Sequence, residues 1–419
     1  MPPDAADALV GRARTVALGA TDDDLSRAAN CVAVGIVEMI ASAREPRLER
    51  IARALAAADP STDAVATNAF LMHAQLADDS YRLAEHPGLA VLPVALAAAQ
   101  RDPGADGRRW LGAVAAGYEA ACALADLLLP GASQRGFRVT AAVAPVAAAV
   151  TAALLTGTAP DLRDPHDPQD PHEDHGPDAV RIAAATAGGP LGVFAGGDAW
   201  RLQPALAAAQ GVLAERAARA GARGAPGALE GEQGILATLA GATYTGIPAG
   251  PPRIGQVMFK RHPVPMYGQA VFDAIRRAGS RLEGATALTV RVAPFAAAYG
   301  DQRPGAVTSV AAITRAALAQ TGAASAATME IEVVGDAGLG LHDAVVELAA
   351  AGGGSAARLT GSGDTSGWSP DDVAGHCAAR IGPTGSGVAA AAHEMVAGGS
   401  SAALLQAWRA ARSSTSDSV

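Results

Sequence analysis

The chain has 419 residues, half of them hydrophobic and only 17% charged, with a formal net charge of −9. That is length for two or three domains, or for one large domain with a smaller companion, and ample apolar surface for a core. The acidic balance and the lack of any Lys/Arg-rich run argue against a nucleic-acid partner, which needs a basic footprint.

Alanine, valine and leucine supply the bulk, while aromatics are only 4%. That mix favours packed helices over sheet. Cys31, Cys122 and Cys377 are sparse and share no metal-ligand spacing, so they read as reduced thiols of a cytoplasmic protein. The opening "MPPDAADALVGRART" has no apolar run of signal-peptide length. Lys260 is the only lysine among 32 basic residues. Arginine cannot replace it where a compact or titratable amine is needed.

In chain order, Leu25, Ala28, Ala29, Val32, Ala33, Ile36 and Met39 recur at helical spacing behind Thr21, a cap residue followed by acids. Further helices are predicted over 48–58, 61–77, 89–99, 108–128 and 140–155. The uncharged stretch Val139 to Pro160 is Ala/Thr-rich and holds Pro145, so a buried helix is expected there rather than a membrane span. Asp161–Asp178, "DLRDPHDPQDPHEDHGPD", has seven acids, three histidines and four prolines. Proline this dense predicts a mobile acidic insertion without helix or sheet, and His166, His172 and His175 lack regular ligand geometry. Helix resumes over 180–185 and 203–220. "GIPAGPPRIG" (Gly246–Gly255) marks a boundary. Beyond it, 285–293 and 327–335 alternate apolar and polar residues as half-buried strands, with helices over 269–278 and 309–320 among them. Helices over 370–380 and 387–412 close the chain. The expected class is mainly α: a large helical body interrupted by a smaller α+β unit.

The order of segments resembles the MmgE/PrpD family, which includes 2-methylcitrate dehydratase and cis-aconitate decarboxylase. The residues that carry the likeness are "LGAVAAGYEAACAL", "GFRVTAAVAPVAAAVTAALLTG", "ALEGEQGIL", "FKRHPVPMYGQAVFDAI" and "GSGDTSGWSPDDV". The resemblance implies an all-helical domain (1–250 plus 368–419), an inserted α+β lid domain (251–367), a homodimer and a small-molecule substrate. No cofactor, metal or membrane contact is expected.

"HAQLADDSYRLAEHPG" is similar to the family's H-x-x-D-x-D-D-T and H-P pattern. His73, the Asp78–Asp79 pair, Ser80 and His86 match it, but the first acid of the family is Leu76 here. A lysine and histidine of the family fall on Trp200 and Gln203. Lys260 is kept, the histidine after it is Gln269, and the histidine of "GFH" is Arg138. These exchanges remove a base and a cation and put apolar or non-titrating groups in their place. The pocket should therefore suit a substrate with fewer carboxylates, larger and more hydrophobic than citrate derivatives.

His86 is then the candidate general acid or base, oriented by Asp78 or Asp79. Ser80 is a candidate partner for a substrate oxygen. Lys260 would bind a carboxylate or polarise a carbonyl, and Tyr267 would donate a proton. Leu76, His73, Arg138, Trp200, Gln203 and Gln269 would line the substrate. The plainer alternatives are that Asp78 and Asp79 cap a turn and that His86 is structural. A metal held by His73, Asp78 and His86 is the sharpest rival, and the family pattern needs none. Three functions stay open: a cofactor-independent lyase or isomerase moving a proton next to a carbonyl, with loss of water or carbon dioxide; a cyclase or other enzyme of specialised biosynthesis on the same scaffold; and a non-catalytic binding protein.

Overall fold

A computed structural model describes residues 4–56, 62–82, 84–156, 174–300, 306–323, 328–350, 355–363 and 365–413. Most of them are helical, with one small four-stranded sheet. Thr21 caps Asp22–Ala43 through a reciprocal box with Asp24, which satisfies amide donors that the first turn leaves unpaired. Helices Thr62–His73, Gly88–Arg101, Gly107–Leu128, Val139–Thr156 and Ala199–Arg219 follow the predicted segments. Their alanine and glycine faces let backbones approach closely. A Cβ at Gly211 would collide with the carbonyl oxygen of Pro145 on the neighbouring helix.

Asp22–Ala43, Gly107–Leu128 and Val139–Thr156 are long and apolar enough to cross a membrane, yet 89%, 89% and 78% of their most apolar windows lie buried inside the protein. The three cysteines are free and buried.

Several elements differ from the sequence reading. Ala5–Gly19 is an additional helix, capped by Asp4. The predicted helix over 61–77 stops at His73. The closing helix over 387–412 is two helices, Pro383–Glu394 and Ser401–Ser413. Gly398 breaks it at φ +96°, a left-handed turn that glycine adopts without strain. Of the acidic insertion, 157–173 lie outside the described residues, and with them His166 and His172. Its last residues are ordered: Asp174 pairs with Arg14, and His175 Nε2 lies 3.2 Å from Glu215. Gly176–Ala184 is a helix with Pro177 in its first turn, where a missing N–H costs nothing.

The sheet runs β1 (Ala285–Val292), β2 (Glu330–Gly335), β3 (Asp343–Ala350) and β4 (Ser355–Ser362) in the spatial order β2-β1-β3-β4. β1 pairs parallel with β2 and antiparallel with β3, which pairs antiparallel with β4. "DAVVELAA" and "SAARLTGS" have helix-prone or small residues and did not read as strands. Pairing supplies what propensity lacks. Leu288, Val290 and Val292 point into a second core with Val346 and Leu348, covered by Met266–Ala278 and Val310–Thr321.

This core and the larger helical one meet along residues 257–260. Val257 and Phe259 pack into the helical body, Met258 into the other core. Arg253 anchors the approach: its amide and Nη1 donate to buried Glu119 (2.7 and 2.5 Å), and its Nε to Asp126 (2.9 Å). Met258 then exchanges two backbone hydrogen bonds with Ser80, both 2.9 Å. Thr365 holds the other edge through both polar backbone groups of Phe259. Lys260 is thereby delivered to the residues after His73.

The close helix pair gives a direct check. Gly211→Val should lower stability by about 1–3 kcal/mol, the usual cost of overpacking. A denaturant midpoint equal to wild type would show that the two helices are not pressed together there.

Candidate functional site

The helix Thr62–His73 ends in a short, strained segment. Leu76 (φ +56°) and Arg82 (φ +55°) are both left-handed without being glycine, at about 1–3 kcal/mol each. Between them the chain bends at Asp78 and is pinned on two sides. Ser80 pairs with Met258, and Tyr81 exchanges hydrogen bonds with Glu85 (2.9 and 3.3 Å). Asp78 and Asp79 turn their side chains to different partners. Asp78 faces His73, His86 and Lys260. Asp79 faces the hydroxyl of Tyr118 and the amide of Gly88 (3.1 Å). Gly88 has no alternative, since a Cβ there would strike the Asp79 carboxyl and the Tyr118 hydroxyl.

Asp78 is fully buried and is the hub. Its Oδ2 accepts from His73 Nδ1 (2.8 Å) and lies 3.3 Å from His86 Nδ1; its Oδ1 accepts from Lys260 Nζ (3.1 Å). Burial alone would raise its pKa, but Lys260 and the two imidazoles hold it well below the usual carboxylate range. Lys260 is itself 0% exposed. Removing one partner of such a pair costs about 3–5 kcal/mol, because the other charge stays buried.

His73 accepts at Nε2 from Arg138 Nη2 (2.7 Å), so its proton sits on Nδ1, facing Asp78. Burial, aided by Arg138 and His86 against the pull of Asp78, lowers its pKa to about 3. His86 Nδ1 lies 2.9 Å from the Asp79 carbonyl, an acceptor only, which assigns the proton to Nδ1. Lys260 Nζ stands 3.3 Å behind the same atom. Burial first, then Lys260, lowers the His86 pKa. Both imidazoles are neutral at pH 7. His86 Nε2 has no hydrogen-bond partner among the described residues.

His86 borders a small cavity of about 20 Å³, with Leu76, Ala84, Arg138, Phe194, Pro265, Tyr267, Tyr299 and Thr308. Phe194, Tyr299 and Thr308 also border an outer recess of about 130 Å³. The inner space holds about one water, so a substrate must extend into the recess. Body and α+β unit each supply part of the wall.

Of the residues singled out in the sequence, Leu76, His86, Arg138 and Tyr267 border the cavity; the others do not. Lys260 contacts His86 from the rear. The Ser80 hydroxyl donates to Glu85 O (3.3 Å). The Tyr267 hydroxyl donates to Thr308 O (2.5 Å), which occupies the proton it was expected to give. Trp200 is not in the wall: its carbonyl accepts from Arg138, and its ring meets His73 edge-on at 5.5 Å. Gln203 donates to Pro190 O (3.3 Å). Gln269 knits its own loop, accepting from the amides of Arg261 and His262 and donating to His262 O and Val264 O.

Phe194 and Tyr299 were missed. The one available signal was scarcity, since the chain has only six Phe and five Tyr. Glu85 was missed as well. It is fully buried, and neither carboxyl oxygen has a hydrogen-bond partner among the described residues.

His73, Asp78 and His86 place ligand-type atoms within 4.8 Å of one another. This is the only such group among the described residues. The Lys260 ammonium already sits against Asp78 and His86, and a divalent ion would have to displace it.

The fold and this cluster define a mainly α protein with a buried acid–base centre beside a cavity. Residues 55–246 match the MmgE/PrpD N-terminal domain, which supports membership of the MmgE/PrpD family. That family includes dehydratases, so the scaffold is of lyase type. Lys260, Gln269 and the closing segment lie beyond the matched residues. No curated protein matches the chain.

Two carboxyls give a pH signature. Burial raises Asp79 to about 7 and Glu85 to about 8. A raised folded-state value means that the folded chain binds the proton more tightly than the unfolded one. That stability is fully present below the ordinary carboxylate range and is lost as pH rises to the folded values. Wild-type melting temperature should fall between about pH 5 and about pH 9 more steeply than that of Glu85→Gln. Parallel slopes would show that Glu85 is not held protonated.

Proposed function

We propose that the chain is a lyase- or isomerase-type enzyme whose own side chains move a proton next to a carbonyl. The observation that carries this is His86: Nδ1–H faces two acceptors, the Asp79 carbonyl and Asp78 Oδ2, and the ring borders the cavity with an unengaged Nε2. A neutral imidazole held in one tautomer is the form a general base requires. Nε2 takes the proton, the C–H electron pair moves to the carbonyl oxygen, and Arg138 meets the developing negative charge. The imidazolium that forms faces Asp78. The cycle closes by return of the proton to another carbon. In a dehydration, hydroxide instead leaves with the proton from His86.

In this reading the chain divides into the body (1–250 plus 368–419) and a lid (251–367), with the reaction at their seam. The wall of Leu76, Ala84, Phe194, Pro265 and Tyr267 favours a substrate with an apolar body. The same aromatic wall supports a second reading, a cyclase in which pocket shape folds the substrate.

His86→Gln should lower proton exchange with deuterated solvent, or turnover of the native substrate, by roughly 10²–10⁴ with the fold intact. The wild-type rate should rise with pH below the ordinary histidine range and level off by neutrality, because the neutral form is the active one. Full activity in His86→Gln would exclude the assignment. Efficient turnover of 2-methylcitrate or cis-aconitate would show that the exchanges at Leu76, Trp200 and Gln269 have not changed the substrate.

A further inference from the structure

The buried charges of the site do not balance. Asp78 is answered by Lys260 at 3.1 Å. Arg138 is a second cation, 1% exposed, and it makes no ion pair among the described residues. Its hydrogen bonds go to neutral acceptors, His73 Nε2 (2.7 Å) and the Trp200 carbonyl, and its guanidinium stands 4.7 Å from the centre of the Phe194 ring. The nearby carboxyls do not supply the missing charge. Asp79 is turned to Tyr118 and Gly88. Glu85 stands outside ion-pair distance of Arg138, and burial favours its neutral form. A guanidinium desolvated without an anion is costly to maintain, and this one forms part of a cavity wall.

We propose that the cavity is a receptor for one carboxylate, held by Arg138, on a ligand whose remaining body is apolar. The guanidinium presents planar donors suited to two carboxylate oxygens. Tyr299, whose hydroxyl has no hydrogen-bond partner among the described residues, borders both the cavity and the recess. It adds a neutral donor on the way in. Lys260, the other cation, is engaged with Asp78 and His86 and does not border the cavity, so a second or third carboxylate would meet apolar wall. This deepens the reading above, on which it rests: the carbonyl beside His86 belongs to that carboxylate. The substrate class is a monocarboxylic acid rather than a di- or tricarboxylic one.

The test uses trifluoroacetate and its uncharged isostere trifluoroacetamide, followed by fluorine NMR on the full chain, with tricarballylate as competitor. Wild type should bind the acid at least about tenfold more tightly than the amide, a difference of one charge-assisted contact. Arg138→Gln should lose that preference, and Arg138→Lys should keep it in part. Tricarballylate should compete more weakly than acetate. Equal binding of acid and amide, no binding of the acid, an unchanged preference in Arg138→Gln, or tighter binding of tricarballylate would each overturn the proposal. If Arg138→Gln does not fold, the wild-type comparison of acid, amide and tricarballylate decides. Binding is measured without turnover, so its outcome is separate from the proton-exchange result for His86. A bound acid with no exchange would leave the anion site standing and remove the chemistry.

Discussion

A carboxylate with no solvent exposure must be answered by charge or by hydrogen bonds, and the arrangement around Asp78 is that answer. Lys260 reaches it from the α+β side, His73 from the end of its helix, and His86 from beyond the turn at Arg82. Each partner arrives on a different segment. The Ser80–Met258 bridge holds two of those segments in register, and Arg253, bound to Glu119 and Asp126, sets where the second begins. The stretch "GYE" (residues 117–119) has a physical role in this frame. Gly117 allows close helix packing, Tyr118 holds Asp79, and Glu119 holds Arg253.

The same constraint explains why the cluster and the cavity divide the work. Cations and anions are paired behind the His86 ring, while the ring's free edge borders a space walled mostly by apolar groups. Leu76 sits in that wall and makes it apolar beside His86. Trp200 and Gln269 act at one remove. Trp200 supports His73 and accepts from Arg138, and Gln269 ties together residues 261–264. Both shape what holds the site rather than what borders the cavity.

The helices were legible because burial imposes a 3.6-residue period even on an alanine-rich chain, and Thr21 with its acids marked a true cap. β3 and β4 were not, since alanine, serine and leucine carry little strand preference and only partner strands decide them. Within the site, the His73–His86 motif and the solitary Lys260 pointed to segments that the fold brings together. What each side chain does there was not legible. The Tyr267 hydroxyl and the Gln203 amide nitrogen donate to backbone carbonyls, and a carbonyl leaves no mark in a sequence. The same holds for the Asp79 carbonyl, which fixes the face that His86 presents. Arg138 stood out only as a departure from a pattern. Its lack of an anionic partner emerges when buried charges are counted in three dimensions.

Burial, with the Lys260 and Arg138 cations, keeps both imidazoles neutral against the pull of Asp78, while Asp78 and the Asp79 carbonyl fix the proton on Nδ1, so that His86 offers Nε2 to the cavity. Nitrogen NMR of the histidine rings reads protonation and tautomer directly. Neutral Nδ1–H forms are expected for His73 and His86 at neutral pH, with His73 keeping that tautomer in Asp78→Asn because Arg138 still donates to its Nε2. A His86 that is an imidazolium at neutral pH, or that carries its single proton on Nε2, would contradict it.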